Sequence, residues 1–244
     1  EAVADVDALI VRSDKVTKEV IDHAKKLKIV VRAGAGFDNL DLDACTARGI
    51  VAMNTPGQNS NAVAELALGM MVYMARNQFV PSTGSELKGK TLGIQAYGNI
   101  GRLVAQLAKG FGMQVLAFDP FVPAENMKAE GVTPVASLEE LYSTSNYVSL
   151  HIPANEQTKK SINYKLLSLM PKSACLVNTA RKEVIDEDDL AKILEERQDF
   201  KYITDIAPAS LAVLQEKFGN RIFATPKKMG AETAEANMNA GLAA

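Results

Sequence analysis

GIQAYGNIGR, residues 93–102, is the stretch on which the reading of the whole chain turns. It stands between an apolar run, TLGIQA (91–96), and an amphipathic stretch whose pattern predicts a helix from Ile100 to Phe111. A strand that breaks into glycines and then enters a helix is the layout of a dinucleotide-binding turn. The full spacing is G-x-G-x-x-G, whereas this run is Ala96-Tyr97-Gly98-Asn99-Ile100-Gly101, with alanine in the first place. Gly98 would let the backbone approach a pyrophosphate, Gly101 would let helix and strand pack closely, and the helix N-terminus would offer N–H groups to the phosphates. Tyr97, Gly98, Asn99, Ile100 and Gly101 are therefore the candidate phosphate contacts. The next strand-like run closes on Asp119, about 18 residues past Gly101, which suits the ribose hydroxyls of NAD and repels the 2′-phosphate of NADP. If Ala96 must be left-handed, the strain is about 1–2 kcal/mol. Micromolar binding is worth about 8 kcal/mol, so the alanine weakens a cofactor site without abolishing it.

Outward from the loop, apolar β-type runs recur at 8–12, 28–33, 50–54, 114–118, 147–152, 174–179, 202–206 and 221–225, with helical patterns between them. Near-continuous apolar strands alternating with helices predict an α/β fold with parallel sheets. After Asn59-Ser60-Asn61, apolar residues at Val63, Leu66, Ala67, Met70, Met71 and Met74 keep a helical period. That stripe reads as core or interdomain packing, with a dimer surface as the alternative. A polar, turn-rich segment, 78–89, separates this helix from the next strand.

The 244 residues suit one or two domains, and 47% hydrophobic with 23% charged residues is an ordinary globular balance. A net charge of −2 gives no general attraction to nucleic acid. The most apolar stretch, 62–75, is interrupted by Glu65 and is too short to span a bilayer. The opening EAVADVD is acidic, which together with the composition sets the expectation of a cytoplasmic protein. Cys45 and Cys175 read as free buried thiols, and no metal is expected. Of the two histidines, His23 lies in a polar helix and reads as exposed, and His151 at a strand end reads as structural rather than as an acid or base.

Seven motifs in order carry a resemblance: VRSDKVT (11–17), RAGAGFDNLDLDA (32–44), NTPGQNSNAVAEL (54–66), the glycine loop, LHIPANEQTKKSIN (150–163), LVNTARKEVIDEDDL with TDIAP (176–190, 204–208), and TPKKMGAETAEAN (225–237). The chain resembles the D-isomer-specific 2-hydroxyacid dehydrogenases, and among them the branch that handles 3-phosphoglycerate at the entry to serine synthesis. The resemblance implies a Rossmann NAD-binding domain inserted in a smaller flavodoxin-like substrate domain, with the active site in the cleft between them. The implied bounds are 1–58 and 233–244 for the substrate domain and 59–232 for the cofactor domain. Relative to the family, an opening strand–helix–strand and the rest of the last helix are expected to be lacking.

By the same resemblance, Arg181 in Asn178-Thr179-Ala180-Arg181 is the catalytic arginine, a guanidinium fork able to hold a carboxylate and polarise a carbonyl. Asp205 looks toward the nicotinamide, while His151, Ile152, Pro153, Thr158, Thr179, Ala180 and Gly230 line the cofactor. Arg12 and Arg32 take a substrate phosphate, Ala33 and Gly34 offer N–H groups to its carboxylate, and Asn59 and Ser60 face the cleft. A phosphorylated 2-hydroxyacid is the implied partner and a homodimer the implied assembly. Unphosphorylated hydroxypyruvate or glyoxylate, and an NAD-sensing corepressor-like module, are the alternatives.

The chain departs from the family where the usual T-P-H-x-G becomes Thr225-Pro226-Lys227-Lys228-Met229-Gly230. Counting from the glycine puts Lys228 in the histidine's place, counting from the proline puts Lys227 there, and the helix that follows favours the glycine count. The histidine's glutamate partner is also missing, with Ser210 at its position. The two losses fit together. A carboxylate beside a lysine raises a pKa of about 10.4 further, and a lysine base needs a drop of about 3 units, from burial or from positive charge such as Lys227 and Arg181.

Overall fold

The computed structural model describes residues 3–244. They divide into two compact units, one built from the residues up to Ala62 together with Ala231–Ala244, the other from Val63–Gly230.

In the smaller unit, β1 (Ala8–Val11), α1 (Lys18–His23), β2 (Ile29–Arg32), α2 (Leu42–Ala47) and β3 (Val51–Asn54) alternate, and the three strands pair in parallel in the order β1-β2-β3. Thr17 and Asp41 begin the two helices by accepting from the N–H groups of Val20 and Ala44. Val11 and Val30 of the sheet pack with Ile21, Ala24 and Cys45 from the helices into one core. His23 is exposed, as its polar helix predicts.

The helix α3 (Ser60–Ala75) carries the chain into the larger unit. There follow β4 (Thr91–Gln95), α4 (Asn99–Gly110), β5 (Gln114–Phe118), α5 (Ala124–Ala129), β6 (Thr133–Pro134), α6 (Leu138–Thr144) and β7 (Tyr147–Leu150). The second half is α7 (Tyr164–Leu169), β8 (Cys175–Asn178), α8 (Glu187–Glu196), β9 (Lys201–Thr204), α9 (Leu211–Phe218) and β10 (Ile222–Ala224). The last helix, α10 (Ala234–Leu242), is capped by Thr233 and belongs to the smaller unit.

All strands of the larger sheet are parallel, in the order β10-β9-β8-β7-β4-β5-β6. This is the doubly wound Rossmann order with one more parallel strand, and it reverses between β4 and β7. Along β7 to β9, Tyr147, Cys175, Val177 and Ile203 face the layer of α3 and α4, while Val148, Leu150, Leu176 and Tyr202 face α6 to α9. This period of two buries both faces of the sheet.

Each of the nine sequence-predicted strands is present. β6 escaped because it is two residues long and ends in Pro134, whose missing N–H confines it to the sheet edge. The methionine stripe is core: Met70, Met71 and Met74 are buried with Leu92, Ile94 and Val104. The dimer-surface reading of that stripe is thereby corrected. Both cysteines are free and buried, and burial pushes the Cys175 thiol up to about 12, which keeps it protonated and unreactive. Among the described residues, no helix is long and apolar enough to cross a membrane, and no group of three His, Cys, Asp or Glu could hold a metal ion.

Met71 is wholly buried whereas Val213 on α9 is 65% exposed. Met71→Ala should cost about 2–5 kcal/mol in urea unfolding, against less than about 0.5 kcal/mol for Val213→Ala. Equal, small shifts would place the stripe outside the core.

Candidate functional site

The glycine loop leaves β4 at the point where the strand order reverses. Ala96 is left-handed there, with φ 76°, so the strained case foreseen for this alanine is the one realised. Its carbonyl lies so close to α4 that a Cβ on Gly101 would come within 2.3 Å of it. Gly101 is thus demanded by helix–strand packing. Gly98 differs: nothing stands within 4 Å of where its Cβ would be, so its open side leaves room for a pyrophosphate. Asn99 is exposed at the start of α4, while Ile100 leans on the core.

Tyr97 departs from its expected role. Its ring is buried, its hydroxyl donates to Glu130 Oε2 at 2.9 Å, and its backbone N–H donates to Asp119 Oδ2 at 2.8 Å. That N–H already donates to a carboxylate within the protein. Asp119 also accepts from Phe121 N at 2.8 Å, so it braces the loop as well as standing at the ribose position. A carboxylate has about four acceptor sites, so two remain for ribose hydroxyls.

Beyond the switch point, His151 is tied by its N–H to Gln95 O at 3.0 Å, and its Nε2 lies 3.0 Å from Ser149 Oγ. Burial lowers its pKa to about 3, so the ring is neutral, in keeping with a structural histidine. Ile152 is buried and Pro153 exposed. The Thr158 hydroxyl donates to Pro153 O at 2.6 Å and accepts from Asn155 N at 2.9 Å, closing this turn. After β8, Asn178 orders the catalytic stretch: its Oδ1 accepts from Ala180 N at 3.0 Å and its Nδ2 donates to Arg181 O at 2.9 Å. Arg181 is half-buried, and its Nη1 donates to Ala180 O at 2.9 Å. The Thr179 hydroxyl is buried with no hydrogen-bond partner. An orphaned hydroxyl beside this arginine fits a bound polar group such as a cofactor amide.

Asp205 follows β9 and is 1% exposed. Its Oδ1 accepts from Thr225 Oγ1 at 2.8 Å and Met229 N at 2.9 Å, and its Oδ2 accepts from Gly230 N at 2.8 Å. The carboxylate therefore clamps the lysine loop, with one acceptor site left over. Gly230 gives its N–H to that clamp rather than to a cofactor, and a Cβ there would meet Asp205 Oδ2 at 2.9 Å. Lys228 immediately precedes the clamped pair. Both lysines are exposed, so the burial offered as one cause of a lowered lysine pKa is not met. Ser210, in the place of the missing glutamate, donates through Oγ to Glu187 Oε2 at 2.6 Å. Glu187 also accepts from Ala209 N at 2.9 Å and Ser210 N at 3.0 Å. Burial pushes Glu187 up, but these hydrogen bonds outweigh it and hold the carboxyl below its ordinary range. No sequence signal points to Glu187, which lies 23 residues from its partner.

In the smaller unit the two arginines meet. The position of a Cβ on Gly34 lies 1.7 Å from Arg32 Nη1 and 2.7 Å from Arg12 Nη1, so both guanidinium groups crowd over this glycine. Gly34 has φ 146°, and any side chain there would collide with Arg32. Arg12 donates to Ala33 O at 2.7 Å, Asn237 Oδ1 at 2.8 Å and Ala231 O at 3.3 Å, all neutral oxygens. Arg32 Nε donates to Arg12 O at 3.1 Å. The expectation for Ala33 is corrected: its N–H donates to Val11 O at 2.8 Å in the sheet, which leaves Gly34 to offer an N–H to an anion. Ser60 is buried at the start of α3 and Asn59 is half-buried before it.

Residues 62–226 match the family described as D-isomer specific 2-hydroxyacid dehydrogenase, NAD binding domain. The chain is 37% identical to D-3-phosphoglycerate dehydrogenase of Methanocaldococcus jannaschii, over 99% of this chain and 49% of that protein. It is 36% identical to hydroxypyruvate reductase of Thermotoga maritima, over 98% of this chain and 83% of that one. An NAD+-bound 3-phosphoglycerate dehydrogenase structure from Entamoeba histolytica superposes with a TM-score of 0.91 at 48% identity, covering 99% of this chain and 78% of that chain. The chain thus spans about half the length of the Methanocaldococcus relative.

The two loop glycines should separate in experiment. Gly98→Ala should weaken NADH binding about tenfold while leaving thermal stability unchanged. Gly101→Ala should lower stability itself, by about 1–3 kcal/mol, because helix and strand must part. Asp205→Ala removes the acceptor of the Met229 and Gly230 N–H groups, whereas the Thr225 hydroxyl keeps its bond to the Asp205 carbonyl, and should cost about 3 kcal/mol or more. A fully stable Asp205→Ala protein would remove the clamp.

Proposed function

The chain belongs to the D-isomer-specific 2-hydroxyacid dehydrogenases, and from that premise we propose that it oxidises D-3-phosphoglycerate to 3-phosphohydroxypyruvate with NAD as the hydride acceptor. The observation that carries the substrate choice is the pair of guanidinium groups crowded over Gly34. A dianionic phosphate suits two planar donor forks presented side by side. Hydroxypyruvate and glyoxylate, named for the relatives of Thermotoga maritima and Thermococcus litoralis, carry no phosphate and have no use for two guanidinium forks.

NAD supplies the electron sink when bound. Arg181, fixed by Asn178, holds the substrate carboxylate and stabilises the oxygen that gains carbonyl character as hydride leaves carbon. Lys228, in its neutral form, takes the hydroxyl proton, and Asp205 fixes the loop that bears it. A cytoplasmic homodimer fits this reading. Its support is the family alone, since the methionine stripe is buried.

The test follows NADH formation from a panel of D-2-hydroxyacids at alkaline pH. Phosphoglycerate should be preferred, and Arg12→Ala or Arg32→Ala should raise its KM by about 10–100-fold with little change for glycerate. Lys228→Met should cut turnover by about 10²-fold or more while sparing NADH binding. Preference for an unphosphorylated acid refutes the substrate assignment. Near-normal turnover in Lys228→Met refutes the base, and silence toward every acid favours an NAD-sensing module.

A further inference from the structure

We propose that Tyr97 is a positioning residue for the cofactor loop: its hydroxyl, bonded to Glu130, holds Ala96 in the left-handed conformation that sets Gly98 and the start of α4 in place for the dinucleotide phosphates. Alanine disfavours φ 76°, so something must hold it there. Three bonds flank it. Ala96 N donates to Phe118 O at 2.9 Å, Tyr97 N to Asp119 Oδ2 at 2.8 Å, and Tyr97 Oη to Glu130 Oε2 at 2.9 Å. The first is an extension of the β4–β5 ladder and fixes only the entry to the turn. The second uses Asp119, which also serves Phe121 N and stands at the ribose position, so its lone pairs are shared among several donors. The third has no competitor at the cofactor.

The anchor is itself well built. Tyr97 is 1% exposed and packs in the core of α3 and α4. Arg102, on the first turns of α4, pairs with Glu130 Oε1 and lies 5.0 Å over the Tyr97 ring. Lys109, near the other end of α4, donates to Glu130 O. Glu130 closes α5, so one glutamate ties the loop, both ends of α4 and the end of α5 together. Burial raises the phenol's pKa, which keeps its proton available for donation. Phenylalanine would fill the same space but would lack the bond to Glu130, leaving the left-handed turn to the Phe118 and Asp119 bonds alone and easier to relax to negative φ. The cofactor would then have to restore the strained form on binding. Glycine at 96 needs no such support.

The experiment titrates NADH fluorescence with the full chain and three variants, Tyr97→Phe, Ala96→Gly and the double variant, and it concerns cofactor binding alone, separately from the choice of substrate. Tyr97→Phe should raise Kd about tenfold, the size of the left-handed penalty. Ala96→Gly should bind at least as tightly as the parent, and in its background Tyr97→Phe should change Kd by less than about twofold. Glu130→Gln attacks the same bond without touching the packed ring and should weaken binding in the same direction, again suppressed by Ala96→Gly. Suppression is the readout that a merely structural tyrosine would not give. An unchanged Kd in both Tyr97→Phe and Glu130→Gln, or an equal loss with and without Ala96→Gly, overturns the proposal.

Discussion

The larger unit depends on one constraint: all seven of its strands run the same way. A parallel strand cannot return by a hairpin, so the chain crosses over through a helix and every strand delivers its C-terminal end to the same edge. Ala96 follows β4, Asp119 β5, His151 β7, Thr179 to Arg181 β8, Asp205 β9 and the two lysines β10. Residues spread over more than a hundred positions thus share one edge by topology alone. The reversal of strand order between β4 and β7 parts the flanking crossovers there and opens the crevice on which the glycine loop borders.

On that edge, three carboxylates serve the backbone before they can serve a ligand. Asp119 accepts from Tyr97 N and Phe121 N, Asp205 from Met229 N and Gly230 N, and Glu187 from Ala209 N and Ser210 N. Charge-assisted bonds of this kind are stronger than neutral ones. They suit loops that must keep one shape with no regular ladder to hold them. A residue type that reads as ligand-binding is here also the scaffold of the binding loop, and the two roles share one set of lone pairs.

What was legible in the sequence was local. Glycine spacing at 98 and 101, apolar runs of strand length, and the Asn59-Ser60-Asn61 helix start each act within a few positions, so they leave a pattern. The bonds that shape the site are not local: Tyr97 reaches Glu130, Ser210 reaches Glu187 and Asp205 reaches Gly230 across 33, 23 and 25 residues. No periodicity encodes such pairings. The same limit explains Ala33 and Gly34. Both read as donors, but the register of β1 against β2 takes the Ala33 N–H and spares its neighbour. The methionine stripe was legible as a helix face, but which surface it met was not.

The missing histidine–glutamate pair gains a physical reading from Ser210. A serine there puts no charge of its own at the glutamate's position, but it binds one, since Glu187 comes to its hydroxyl at 2.6 Å. The question is whether this returns the lost partner. A relay carboxylate must be able to take up a proton or favour a protonated neighbour. Glu187 is committed to three donors that favour its charged form, and its pKa falls despite burial. It is poorly suited to accept a proton near neutral pH, and its charge is directed at the start of α9. Ser210 is therefore a structural tether between Glu187 and the start of α9. Under the proposed mechanism, a carboxylate in the glutamate's place would favour the ammonium form of Lys228 and oppose its deprotonation, and a serine there does not.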